Sequence, residues 1–159
     1  MGDAVNSWRQ EGHLFVWRYP NARRGWCGWH FTGDPVGCRS IRNLLDRMHG
    51  GEARHRTLKL SPVTEAILSV PNYQFKTHGR FEKVRIEYRP DFPDLFLAPD
   101  DDLLVMTVGA ERLKRLTAAF AEVEVGLGDF GIPTSHDRKA ASWMFWWMPN
   151  VKYHYGRQQ

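Results

Sequence analysis

Ser142-Trp143-Met144-Phe145-Trp146-Trp147-Met148-Pro149 decides how the rest of the chain is read. As a strand, it sends Trp143, Phe145 and Trp147 to one side and Met144, Trp146 and Met148 to the other. Both sides are apolar, the pattern of a strand covered on both faces. Each aromatic buries roughly 150–250 Å², a gross gain of about 4–6 kcal/mol at about 25 cal/mol/Å². Four such residues together exceed the net stability of an ordinary domain, about 5–15 kcal/mol. The segment is therefore expected to be a central strand. The competing reading is an exposed aromatic platform for a ligand, with Trp146 as its first residue to test.

Working outward, the seven tryptophans fall into an N-terminal group (Trp8, Trp17, Trp26, Trp29) and a C-terminal group (Trp143, Trp146, Trp147). This grouping suggests that the two ends of the chain meet in one core. His13 to Tyr19 and Trp26 to Phe31 read as strands of a hairpin, joined by the turn-forming Pro20 to Gly25. Asp34-Pro35 starts a helix whose stripe Val36, Ile41, Leu44, Leu45 and Met48 turns inward, and Gly50-Gly51 ends it. Arg42 and Asp46 have the spacing of a pair within that helix.

Arg54 to Leu60 is a further strand, followed by a short helix that Ser61 is expected to cap. Phe81 to Arg89 alternates cleanly, with Val84, Ile86 and Tyr88 against Lys83, Arg85, Glu87 and Arg89. That is a strand with one wet face. A short strand at Leu95 to Leu97, a polar turn at Asp100-Asp101-Asp102 and an apolar strand at Leu103 to Met106 follow. Thr107 is read as the cap of a second long helix carrying Leu113, Leu116, Phe120 and Val123. No internal repeat or linker is visible in the sequence.

The fold class expected is α+β, a single domain spanning 1–159. It has a mostly antiparallel twisted sheet with two main helices packed on one face, and 1–11 and 150–159 are read as frayed tails. With 159 residues, 42% hydrophobic and 25% charged, the chain has globular composition. Two cysteines give no disulfide framework, and neither a signal peptide nor an apolar run of membrane-spanning length is present. These features, with 16 arginines against 6 lysines, lead to the expectation of a cytoplasmic, bacterial protein. Net charge is +4 but uneven: residues 1–80 hold 12 basic and 6 acidic side chains, residues 81–159 hold 10 and 12.

Catalytic and metal motifs are weak. Cys27, His30 and Cys38 could supply zinc ligands, but Cys27 and His30 have opposite strand parity and no fourth ligand is evident; both cysteines are read as core residues. Ser135-His136-Asp137 has triad residue types in direct succession, which diverge in space. Asp100 to Asp102 lacks the spaced ligands of a calcium loop. No metal and no cofactor is expected.

The leading functional expectation is a small non-catalytic binding or interaction protein. Its partner would be a protein, as for the neutralising partner of a bacterial toxin, or a second copy of the chain. The second expectation is nucleic-acid or polyanion binding through a basic sheet face of Lys59, Lys83, Arg85 and Arg89, with Arg54 or Arg56 alongside. A third is an enzyme whose site draws on His30, His55 or His78.

Overall fold

The computed structural model describes residues 4–150. Its elements run β1 (Leu14–Trp17), β2 (His30–Gly33), α1 (Pro35–Met48), β3 (Arg54–Lys59), α2 (Glu65–Leu68), β4 (Lys83–Tyr88), β5 (Leu95–Asp100), β6 (Leu103–Val108), α3 (Ala110–Glu124), β7 (Phe130–Ile132) and β8 (Trp143–Phe145). The α+β class stands, and four of the six strand pairings are antiparallel. The strands are divided between two sheets: sheet A in the order β1-β2-β8-β7 and sheet B in the order β3-β4-β6-β5. In each, a central parallel pair (β2–β8, β4–β6) is flanked by antiparallel hairpins. No helix among the described residues is long and apolar enough to cross a membrane.

This arrangement is a duplication that the sequence conceals. The unit strand-strand-helix-strand-strand occurs twice, as β1-β2-α1-β3-β4, with α2 inserted between β3 and β4, and as β5-β6-α3-β7-β8. Each sheet combines the first hairpin of one unit with the second hairpin of the other. Registers then fix corresponding positions: Phe15 with Phe96, Trp17 with Ala98, His30 with Val105, and Trp146 with Glu87. The helix entries correspond too, Asp34 with Gly109. The sheets also adjoin at matching corners, where Ser61 N donates to Leu14 O and Leu95 N donates to Thr134 O, both at 2.8 Å.

The inward faces of both sheets and the apolar faces of α1 and α3 form one core. Phe31, Phe120 and Phe145 meet there edge-on and face-on. α1 and α3 are tied by Glu124, which accepts from Arg42 Nε at 2.9 Å and Arg39 Nε at 3.2 Å. Arg42 therefore pairs across helices and not with Asp46.

Other local expectations are corrected as well. Residues 4–11 are not a loose end: Val5 and Trp8 are buried, and Arg56 donates to the carbonyls of Val5, Asn6 and Trp8. The expected tail beyond Asn150 lies outside the described residues. Thr107 belongs to β6, and α3 is entered through Gly109 without a side-chain cap. Here a Cβ would stand 1.9 Å from the Phe92 carbonyl oxygen, so no capping side chain fits. α2 is capped by Thr64, whose Oγ1 accepts from Ile67 N, while Ser61 faces His13. The short strand at Leu95 to Leu97 extends to Asp100 and forms a hairpin with β6. β7 was not anticipated at all.

Candidate interaction face

Strand alternation puts every second side chain of sheet B on its outer face. Register orders them in rows: Lys59, Lys83, Leu103 and Asp100; then Thr57, Arg85, Val105 and Ala98; then His55, Glu87, Thr107 and Phe96. The face is open. Phe96 is 55% exposed, Lys59 and Lys83 are exposed, and Leu103, Val105 and Thr107 are half-buried. The cations lie on β3 and β4, and the apolar side chains lie on β6 and β5.

The pairing of β3 with β4 places Lys59, Lys83 and Arg85 on one face. The structure does not leave Arg85 and Arg89 as unopposed cations. Glu87 accepts from Arg85 Nε at 2.9 Å and from Arg89 Nη2 at 3.1 Å. Burial pushes the Glu87 carboxyl up, but the hydrogen bonds and charges of Arg89 and Arg85 more than offset this and hold it below its ordinary value. Arg56 serves the N-terminal segment instead, and Arg54 donates to Glu52 O.

Both edges of this sheet are blunted against strand addition. Gln10 pairs its amide with the Lys59 backbone, donating to the carbonyl and accepting the N–H, both at 2.8 Å. Pro99 interrupts the donor row of β5.

Trp146, the remaining residue singled out from the sequence, lies elsewhere and is covered. It is 5% exposed and belongs to a second cluster on the outer face of sheet A. Phe15, Trp17, Tyr19, Ile67 and Leu68 complete that cluster's buried set. Its ring stacks on Trp26 at 5.7 Å and 8°, and Trp26 stacks on Tyr73 at 4.3 Å and 6°. Trp143 and Phe145 face the main core, so β8 is central and covered on both faces, as its sequence pattern required. Trp17 is part of the cover over Trp146, while Trp29 packs in the main core. Trp147 is 37% exposed and leaves the expected alternation because β8 ends at Phe145.

His30 lies at the centre of this cluster. Trp146 Nε1 can only donate, and it does so to His30 Nδ1 at 3.0 Å. His30 Nε2 therefore carries the proton and donates to Trp26 O at 3.1 Å. Burial lowers its pKa to about 4, against the smaller opposing effect of that carbonyl. Nearby, burial raises the Tyr19 phenol, while the Arg23 N–H donating to Tyr73 Oη at 2.8 Å lowers the Tyr73 phenol. Trp17 Nε1, Arg18 Nε and Tyr19 Oη are buried without a partner of ordinary hydrogen-bond geometry among the described residues.

The three histidines proposed for a site occupy different settings. His30 is buried under sheet A's cover, His55 is exposed on sheet B, and His78 is exposed in the loop before β4. Cys38 is buried but Cys27 is exposed, which corrects the expectation of two core cysteines. No group of three or more metal-ligating side chains occurs among the described residues. The face on sheet B could have been assembled from sequence only with its register, because Phe96 and Val105 come from strands whose pairing spacing does not reveal. Comparison with protein-family models, curated proteins and solved structures gave no match.

Proposed function

We propose that this protein is a non-catalytic interaction module that binds a protein partner through the outer face of sheet B. The observation that supports this reading is the contrast at corresponding positions. Phe15 on sheet A is 6% exposed beneath the chain's own cover, whereas Phe96 on sheet B is 55% exposed. Four strands at about 4.8 Å spacing and six residues at about 3.4 Å give a flat footprint on the order of 400 Å². That area is about the centre of a standard interface, which takes roughly 800 Å² from each partner.

The chemistry of the face describes its complement. An apolar knob would seat on Phe96, Val105 and Leu103, and carboxylates would meet Lys59 and Lys83, which make no ion pair among the described residues. A neutralising partner of a toxin is one form of this reading. Polyanion binding is disfavoured by Glu87, which engages two of the four proposed cations, and by Asp100 at the far corner.

Val105→Arg tests the proposal. Val105 is half-buried at the middle of the face, so the variant keeps the core while adding charge to the contact. A partner recovered with wild-type protein should lose affinity by about 30-fold or more, the effect of a central hot spot near 2 kcal/mol. Equal recovery by both proteins, or steeply salt-dependent capture of oligonucleotides by this face, overturns the reading.

A further inference from the structure

A groove of about 320 Å³ lies between the N-terminal segment and the outer side of α1, away from sheet B's open face. Arg9, Arg39 and Arg47 line it, with Glu11 as its acidic residue. Each arginine is anchored through one nitrogen. Arg9 Nη1 donates to Asn6 O and Trp8 O, Arg39 Nε to Glu124, and Arg47 Nη1 to Ala4 O and Ser7 Oγ. The remaining guanidinium N–H groups make no hydrogen bond among the described residues, so three forks are held in place with donors to spare. Ser40 Oγ accepts from Glu11 N at 3.0 Å and keeps its own proton uncommitted. Asn43 stands between Arg39 and Arg47 on the same helical stripe, exposed and unbonded among the described residues.

We infer that this groove is a binding site for a small phosphate-bearing ligand. Arg9 and Arg47 face only Glu11 in the lining, and Arg39 shares Glu124 with Arg42, so positive charge remains in excess and selects an anion. The planar fork of arginine matches phosphate oxygens two at a time, and anchoring reduces the ordering cost of binding. Neutral donors from Ser40 and Asn43 complete a set suited to acceptor-only oxygens. Arg39 and Arg47 are eight residues apart, about 12 Å along the helix, which gives room for a phosphate with an organic substituent.

Pyrophosphate is the probe, titrated into the full chain at about 50 mM salt, where charge attraction is little screened. The expected result is saturable binding with shifts confined to residues of the groove. Asn43→Asp places a carboxylate between two of the arginines without removing a hydrogen bond. It should weaken binding about tenfold or more with thermal stability unchanged. Arg39→Gln should weaken it as well, whereas Val105→Arg on sheet B should leave it intact. No saturation by about 10 mM pyrophosphate, or the same affinity in Asn43→Asp, overturns the assignment. An oligonucleotide lacking terminal phosphates that binds this groove more tightly than pyrophosphate also overturns it, in favour of a phosphodiester strand.

Discussion

Sheets A and B are built to one plan and finished in opposite ways. Both have a central parallel pair in matching register, yet the corresponding outward positions read Phe15, Trp17, His30 and Trp146 on A and Phe96, Ala98, Val105 and Glu87 on B. The connections account for the difference. Residues 101–102 join β5 to β6 as a tight turn, with Asp101 in the left-handed region at φ 58°. Residues 18–29 join β1 to β2 and bring Tyr19 and Trp26 over sheet A. Likewise residues 60–82, which contain α2, are more than twice as long as their counterpart 133–142 and deliver Ile67, Leu68 and Tyr73 to the same cover. Extra chain has turned one outer face into a second core. Its counterpart carries the polar alternation of a solvated sheet with an apolar half left bare.

The sharpest way to break this comparison is to truncate an aromatic on each side. Trp146→Ala removes a buried ring stacked on Trp26 and leaves His30 Nδ1 without its donor. It should cost about 3–5 kcal/mol in urea unfolding, as large buried aromatics do. Phe96→Ala should stay within about 0.5 kcal/mol, the range of surface substitutions. Comparable losses at the two positions would mean that sheet B is covered as sheet A is, and would remove the basis of the proposed interface.

The next test uses the titratable group that only sheet A buries. The His30 pKa falls to about 4 in the folded protein, against about 6.5 for an unperturbed histidine. Between these values the unfolded chain binds a proton that the folded chain refuses. Stability contributed by this group is therefore fully present above about pH 6.5, declines as the pH falls to about 4, and is constant below. A difference of about 2.5 pKa units corresponds to about 3 kcal/mol. Unfolding free energies of wild type and His30→Gln, compared across this window, should diverge by that order as the pH rises. A constant difference between them would show that His30 is not buried neutral.

Much of the scaffold was legible because its signals are local. Asp34-Pro35 marked the start of α1, Ile41, Leu44, Leu45 and Met48 marked its buried side although Val36 of the same expected stripe is exposed, and Val84, Ile86 and Tyr88 marked the inward face of β4. The covering of β8 was legible too, since no arrangement leaves that much aromatic surface in water cheaply. What escaped was set by long-range pairing. The division into two sheets depends on β2 meeting β8 and on β4 meeting β6, contacts between distant segments that periodicity does not encode. The duplication escaped for the same reason: backbone registers match where side chains do not, as with His30 and Val105. Of the candidate site, the cations of β3 and β4 were found by alternation. Phe96 and Val105 were not, because on an isolated strand they look like core.

The two units also differ where their helices begin, and this gives the smallest expected effect. At the entry to α1, Asp34 Oδ1 accepts from Gly37 N at 2.7 Å and from His13 N at 3.0 Å, so one carboxylate caps the helix and holds the start of β1. At the corresponding entry to α3, Gly109 offers no side chain, and the Phe92 carbonyl occupies the space one would need. Asp34→Ala should therefore cost about 1–2 kcal/mol, the upper part of the usual range for a lost cap because a second N–H loses its acceptor. The denaturant slope should not change, since the same surface is exposed on unfolding. Asn at position 34 keeps a carbonyl oxygen that can accept both bonds, so Asp34→Asn should recover most of the loss. If Asp34→Asn is as destabilised as Asp34→Ala, the negative charge and not the hydrogen bonding supports this entry. The two helix starts would then differ in electrostatics and not in capping.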